Sequence, residues 1–293
     1  MADMEHEEHF DDCWQVELQA YLDFKDKNPS LKFFDAYVDK WATLQALAER
    51  IKHTLDLDNA TRCIELGAGA ATLSILMALE GFLCKSVDTS NYAKMLAEKV
   101  SEEVGVTIDY ELRDFFDKNF IEKNISAFDF VSSSGVIEHF SREQQLEFLK
   151  INKKISKKWV LVAIPNSNGE IYNSYIRWTK KNGNFYDVYH EDCTIDDLKD
   201  LMIEAGLEPV LYDGFFVYFA KEEMYGEVSR EMSSIHKKLS EKIVNAGGSK
   251  YLNYPHIDFT YDDINVLKKA ESSLSASERL EMGFMNFILA KVV

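Results

Sequence analysis

Short apolar runs alternate with helical periods from residue 61 onwards, and this alternation predicts a parallel sheet wrapped by helices. Helical periods are expected at about 71–82, 91–104, 142–155 and 194–205. Runs with the character of strands occur at about 62–66, 84–88, 108–112, 127–133, 158–164, 208–217 and 284–292. The fold class that follows is α/β, a doubly wound, mostly parallel seven-stranded sheet of the Rossmann-like type.

Two stretches outside this alternation have a helical pattern. Near the N-terminus we expect helices at about 10–24 and 31–54. In the second of these, apolar residues recur every three or four positions, which is the spacing that buries one face of a helix. They are Phe34, Tyr37, Val38, Trp41, Leu44, Leu47 and Ile51.

The residues between the last two predicted strands form the other helical stretch. A stripe from Met224 to Ile243 ends at Gly247, and Thr260 with Asp263 is typical of a helix N-cap. The sequence therefore predicts three parts. They are an N-terminal helical segment (1–60), a Rossmann-like domain (61–217 plus 284–293) and a helical cap (218–283).

Composition and charge narrow the range of partners. The chain has 293 residues, and its 33 Lys and Arg against 50 Asp and Glu give a formal charge of −17. Because binding to nucleic acid requires clustered cations, we expect no nucleic-acid partner. No run approaches the roughly 20 apolar residues of a membrane span, and the acidic N-terminus has no apolar signal region. A cytoplasmic protein without membrane association is expected.

The cysteines do not indicate a metal site. They stand apart at positions 13, 63, 84 and 193, without the Cys-x-x-Cys or His/Cys spacing of a zinc site. We expect reduced thiols and no metal.

A glycine-rich turn follows the first predicted strand. The run from Cys63 to Ala71 reads CIELGAGAA, and glycines at 67 and 69 let the backbone turn tightly and approach a ligand. Asp88 ends the second predicted strand, where a carboxylate of a doubly wound fold binds ribose hydroxyls. The acid Glu65 just before the glycines suits a cationic amine better than a phosphate. These features favour an adenosine cofactor that carries an amine.

Taken together, these motifs resemble the class I S-adenosylmethionine (SAM) dependent methyltransferases of the small-molecule branch. The first motif of that family reads acid-x-Gly-x-Gly-x-Gly, and Ala71 replaces its third glycine here. The ordered matches span about residues 61–216. Further matches are Asp88 for the ribose acid, Asp114 with Phe115 for the adenine segment, and Gly135 to His139 for the motif after the fourth strand.

The resemblance implies SAM as the cofactor and a set of residues around it. Tyr37 and Trp41 lie on a helix that packs over the cofactor in relatives, so both are expected near the sulfonium, with core packing as the alternative. The other cofactor residues are Glu65, Gly67, Gly69, Asp88, Asp114, Phe115 and Ser134.

The acceptor side is predicted from residues after strands four and five. His139 is the candidate general base, because an imidazole pKa near about 6.5 suits proton removal at neutral pH, and a structural role is its alternative. A polar and aromatic loop after strand five is expected to face the acceptor. Its predicted contacts are Asn166, Tyr172, Tyr175 (also a catalytic candidate), Arg177, Tyr189 and His190. Arg177 with Lys180 and Lys181 predicts attraction for an anionic substrate.

The leading hypothesis is methyl transfer from SAM to a small organic acceptor. Two alternatives stay open: an enzyme of the same fold that cyclises SAM and releases methylthioadenosine, and a non-catalytic SAM-binding subunit. The chain lacks the Asn/Asp-Pro-Pro-aromatic run of enzymes that methylate amino nitrogens in nucleic acid. An aromatic loop at 251–261 either closes the pocket, packs onto the body or forms a homodimer interface.

Overall fold

The structure is a computed structural model, and it describes most of the chain. The described residues are 2–32, 38–55, 57–58, 60–181, 193–218, 230–252 and 259–293, with the backbone alone described at 2–10, 39–40 and 230–233. Tyr37, Tyr189 and His190 lie outside the described residues.

Seven strands form one sheet in the order β3-β2-β1-β4-β5-β7-β6. Strand β7 is antiparallel to both of its neighbours, and the other pairs are parallel. The predicted fold class is confirmed. The strands are β1 (Arg62–Leu66), β2 (Leu83–Asp88), β3 (Asp109–Leu112), β4 (Phe128–Ser134), β5 (Ser156–Pro165), β6 (Leu207–Phe215) and β7 (Met285–Val292).

Helices cover both faces of this sheet. The first six are α1 (Ala2–Lys27), α2 (Val38–Leu55), α3 (Thr72–Leu79), α4 (Asn91–Val104), α5 (Lys118–Lys123) and α6 (Arg142–Ile155). The others are α7 (Glu170–Lys181), α8 (Ile195–Glu204), α9 (Arg230–Gly247), α10 (Ile264–Ser272) and α11 (Ala276–Met282). Residues of α1 to α4, α9 and α10 pack with one face of the sheet in an apolar core that we call the upper core. Residues of α5, α6 and α8 pack with the opposite face in a second core.

Local sequence signals explain where the best-defined helices begin. The Ser90 hydroxyl accepts a hydrogen bond from the Ala93 backbone at 3.3 Å, so α4 starts at Asn91. Ser141 and Gln144 form a capping box that starts α6. Both helices have the predicted bounds. Thr260 is the N-cap of the 3-10 turn Tyr261–Asp263, and its backbone amide and hydroxyl both donate to the Asp263 carboxylate.

The segment after β5 differs from the prediction. We expect a polar loop there, but α7 occupies Glu170–Lys181. Ile171 and Ser174 are buried, three positions apart, so one face of this segment packs like any amphipathic helix. The loop prediction was wrong because the buried face includes the polar residues Ser174 and Thr179, so no continuous apolar stripe marks the helix.

Candidate functional site

The carboxyl ends of β1, β2 and β4 meet at a cavity of about 850 Å³. This volume lies in the upper part of the range for small-molecule sites, about 300–1,000 Å³. The cavity collects residues that are far apart in the sequence. Eight of the residues predicted for cofactor binding or catalysis line it: Glu65, Gly67, Gly69, Asp88, Asp114, Phe115, Ser134 and His139.

The glycine turn after β1 is held against β2 by backbone hydrogen bonds. The Gly67 amide donates to the Val87 carbonyl at 2.9 Å. Gly67 has φ +65, and a Cβ there would lie 2.5 Å from the Val136 side chain, so both the conformation and the space require glycine. Ala71, at the third glycine position of the family motif, has φ +54. The motif prefers glycine there because the backbone is left-handed, and alanine adopts it at a cost of about 1–2 kcal/mol.

Glu65 is a buried carboxyl beneath this turn. Its Oε2 accepts hydrogen bonds from the Ser74 amide at 3.0 Å and the Ser74 hydroxyl at 2.6 Å, which fix the side chain. Burial raises the pKa of Glu65 to about 7, although the two bonds from Ser74 oppose the shift. A carboxyl in this state gains most from a cationic partner, which would restore its ionised form.

Asp88 is held at the end of β2 by the glycine turn and the next loop. Its Oδ2 accepts from the Gly69 amide at 2.8 Å, and its Oδ1 accepts from the Ser90 amide at 3.0 Å. A carboxylate has about four acceptor positions, so each oxygen retains capacity for a hydroxyl donor. Burial raises the pKa of Asp88, while these amide bonds lower it. The two amide bonds fix the orientation of the carboxylate at the cavity wall.

Aromatic rings form the wall next to Asp114. The Asp114 carboxylate accepts from the Phe116 amide at 2.8 Å, which fixes the acid at the cavity wall. Phe116 packs on Phe115 with ring centroids 5.0 Å apart and on Phe140 at 5.3 Å. An acid beside several flat apolar surfaces suits a planar heterocycle with an amino group.

Trp14 of α1 is a cavity residue that sequence reasoning missed. Its indole lies over Gly69, where a Cβ would be 2.2 Å from the ring. Nearby, the Ser90 hydroxyl donates to Asp11 of α1 at 2.5 Å, and Asp11 contributes to the raised pKa of Asp88. The N-terminal helix therefore contacts the glycine turn directly.

A short 3-10 turn, Ile137–His139, carries the remaining ionisable groups of the site. The half-buried His139 lines the cavity. Glu138 is only 3% exposed, its Oε2 has no hydrogen-bond partner among the described residues, and burial raises its pKa to about 8. Glu138 is therefore protonated at neutral pH, and it is absent from the described cavity lining.

The other predicted site residues have different surroundings. Trp41 is buried in the upper core, and the cavity is lined instead by Leu44 and Leu47 of the same helix. Asn166 donates from Nδ2 to the carbonyls of Leu280 at 2.8 Å and Gly283 at 2.9 Å, so its amide ties β5 to the segment before β7.

The predicted acceptor contacts on α7 are also outside the cavity lining. Tyr172 and Tyr175 each pack edge-on against Phe284 at 5.3 Å. Arg177 is ion-paired with Glu170 at 2.6 Å, so its charge is already matched. The attraction expected of Arg177 for an anionic substrate is therefore not supported.

Two further findings concern metals and membranes. In the part of the chain that the structure describes, no three His, Cys, Asp or Glu residues are grouped as metal ligands. None of the described helices combines the length and apolarity needed to cross a bilayer.

The site geometry fits the ligand implied by the sequence motifs. A buried acid, an acid held at the end of β2 and an acid beside aromatic rings share one cavity. They could hold, in turn, the amine, the ribose and the adenine of SAM.

Comparison with known proteins also indicates a methyltransferase. The family model described as "Methyltransferase domain" matches residues 38–212, more than half of the chain. A Geobacillus sp. (strain WCH70) protein described as a methyltransferase is 24% identical over 244 residues, covering 70% of this chain and 94% of that protein.

Two solved structures are similar in fold. One is a SAM-dependent methyltransferase from Archaeoglobus fulgidus, with 15% identity, 92% of this chain and 99% of that chain covered, and a TM-score of 0.50. The other is a Bacillus halodurans protein described as a methyltransferase, with 14% identity, 84% and 98% coverage, and a TM-score of 0.50.

Proposed function

The chain belongs to the methyltransferase domain family and is a SAM-dependent methyltransferase, and we propose that it transfers the methyl group to a small organic acceptor. The observation that carries the proposal is the convergence of Glu65, Asp88 and Asp114 around one glycine turn, in a cavity that is also lined by the apolar residues Leu161, Ala163 and Phe215. A cavity of about 850 Å³ leaves space beside the donor for a second small molecule.

Each of these acids has a distinct part in binding the donor. Asp88 receives the ribose hydroxyls, and its bonds from the Gly69 and Ser90 amides keep it oriented before the ligand arrives. Glu65 pairs with the amine, and Asp114 receives the adenine amino group. When bound, SAM supplies an activated methyl group on a sulfonium, so the protein needs mainly to position the two reactants.

His139 is the residue we propose as the general base. Its imidazole lines the same cavity as Ser134 and Gly135, beyond the end of β4. An imidazole can accept a proton from the acceptor, which assists transfer to a hydroxyl, an amine or an acidic carbon. Glu138, which burial keeps protonated, is not proposed as this base.

The N-terminal helix is proposed to close the donor site. Trp14 covers Gly69, and Asp11 receives the Ser90 hydroxyl beside the ribose acid. Helix α10 of the proposed cap packs against α2, which supplies Leu44 and Leu47 to the cavity. Closure on both sides would exclude water from the reacting centre.

One incubation separates the proposed function from its alternatives. The pure protein is incubated with SAM, with and without a small-molecule cell extract, and the products are identified by mass spectrometry. S-adenosylhomocysteine that forms only with extract, together with a methylated extract compound, supports the proposal.

One control variant and two contradicting outcomes complete this experiment. The Asp88→Ala variant, checked for folding, must lose the product. Methylthioadenosine formed without extract would instead indicate cyclisation of SAM, and no product despite SAM binding would indicate a binding subunit.

A further inference from the structure

One end of the cavity has an apolar floor made by the sheet. Leu161 and Ala163 alternate along β5, so their side chains point to the same face. Phe215 of β6, which is separated from β5 by β7, also lines the cavity, and the three side chains are at most 1% exposed. Ser134 is in register with Ala163 across β4 and β5, so the polar donor side and the apolar floor meet there.

The roof over this floor is α2. Leu44 and Leu47 line the cavity, and residues three positions apart share a helix face. A buried charge network attaches α2 at a fixed distance from the sheet. Arg50 contacts Asp213 of β6 at 3.5 Å and Glu271 of α10 at 2.9 Å.

The same network includes a second residue of α2 and an arginine of α11. The Thr43 hydroxyl donates to Glu271 at 2.8 Å, and Arg279 of α11 binds Asp213 through two bonds of 2.7 and 2.8 Å. The residues that fix the helix thus flank the two leucines. An apolar space whose walls are held apart does not collapse, and such spaces bind apolar molecules.

Phe216, which follows Phe215 in the cavity lining, has a strained backbone. It has φ +58, which is rare for a bulky residue, and it lines the cavity. The strain is maintained by a hydrogen bond from the Phe284 amide to the Phe216 carbonyl at 3.4 Å and by ring packing on Phe215 at 4.9 Å. Such strain clusters at ligand sites, where it aims a side chain.

Charge on the cavity wall discriminates among ligands. Within the described residues the lining has four acids, Glu65, Asp88, Asp114 and Glu147, and no lysine or arginine. In their ionised form these carboxyls would repel an anionic acceptor.

From these observations we propose that the space between α2, β5 and β6 is the acceptor pocket, that the acceptor has an uncharged hydrophobic body such as an aromatic ring system, and that Phe216 determines this specificity. The inference rests on the proposed function, because it assigns the donor to the other end of the cavity. It defines the acceptor class that the reaction consumes.

The test uses two probes with the same ring system, neutral 1-naphthol and anionic 1-naphthoate. Their affinities are measured by calorimetry on the full chain saturated with S-adenosylhomocysteine. We expect 1-naphthol to bind at least about tenfold more tightly than 1-naphthoate.

Two variants locate the binding. Ala163→Phe fills the pocket, and Phe216→Ala removes an aromatic ring from its lining. Each should weaken 1-naphthol binding at least about tenfold while the affinity for S-adenosylhomocysteine stays within about twofold. Phe284→Ala is the matched control, because this phenylalanine neighbours Phe216 but is absent from the described lining, and it should leave both affinities within about twofold.

The possible failures are distinguishable. A wild-type protein that does not bind S-adenosylhomocysteine contradicts the proposed function itself. Normal cofactor binding overturns only the acceptor pocket if 1-naphthol does not bind, if 1-naphthoate binds as tightly, or if the variants bind 1-naphthol like the wild type. Should Ala163→Phe fail to fold, Phe216→Ala with its control still decides.

Discussion

The contact between Trp14 and the glycine turn can be tested by a double-mutant cycle. In Gly69→Ala, the new Cβ would lie 2.2 Å from the indole of Trp14, about 1.2 Å short of ordinary contact. Gly69 also has φ +50, a left-handed conformation that is energetically unfavourable for alanine. The substitution therefore has two costs, and only one of them involves Trp14.

The two costs have different magnitudes. Left-handed backbone costs alanine about 1–2 kcal/mol, and overpacking of this kind costs about 1–3 kcal/mol. Gly69→Ala should thus lower the free energy of unfolding by about 2–5 kcal/mol in the wild type. In a Trp14→Ala background it should cost only the first part, about 1–2 kcal/mol.

Urea unfolding of the wild type, the two single variants Gly69→Ala and Trp14→Ala, and the double variant measures this difference. Gly105→Ala is a matched control, since Gly105 has φ +79 but a Cβ there would meet no atom within 4 Å, so its cost should be the same with and without Trp14. If Gly69→Ala costs the same in both backgrounds within about 0.5 kcal/mol, α1 does not cover the glycine turn.

Four other outcomes follow from the structure. Asp88→Ala should weaken SAM binding at least about tenfold, because buried bonds to a charged group contribute about 1.5–3 kcal/mol each, and calorimetry showing unchanged affinity in a folded variant would remove the ribose assignment. SAM affinity should rise as pH rises towards 7, because pairing with the amine requires ionised Glu65 and the pKa of Glu65 is about 7. Glu65→Gln should abolish that rise, and a rise that persists in the variant would contradict the pairing. Burial raises the pKa of Glu138 to about 8 from an ordinary 4.5, so the folded state binds more protons than the unfolded state between these pH values. The free energy of unfolding should therefore fall with rising pH, by up to about 1.4 kcal/mol per pH unit. Glu138→Gln should reduce this slope, and an unchanged slope would count against the buried acid. Arg279→Ala should cost about 3–5 kcal/mol in urea unfolding, because Asp213 then loses its bidentate partner, and a cost below about 1 kcal/mol would show that the network does not fix α2.

The sequence predicts elements best where the signal is local. Helices α4 and α6 have the predicted bounds because Ser90 and Ser141 cap their first turns. The residues of the glycine turn could be assigned because their chemistry is concentrated in a short motif. Helix α7 was missed because two of its three buried residues, Ser174 and Thr179, are polar and interrupt the apolar period.

Features that depend on distant contacts could not be predicted. Trp14 and Gly69 are 55 positions apart, and a helical stripe shows which face is buried without showing its partner. The position of β7 between β5 and β6 is likewise a property of the sheet and not of the strand. Arg177 was expected to attract a ligand, and its pairing with Glu170 on the same helix was missed because the segment was predicted to be a loop.

The central claim is that one cavity holds the methyl donor through Glu65, Asp88 and Asp114. A crystal structure of the full chain with S-adenosylhomocysteine tests it most directly. We predict the ribose hydroxyls on Asp88, the amine near Glu65, and the adenine between Asp114 and Phe115. A ligand bound elsewhere, or one whose ribose does not contact Asp88, would contradict the account.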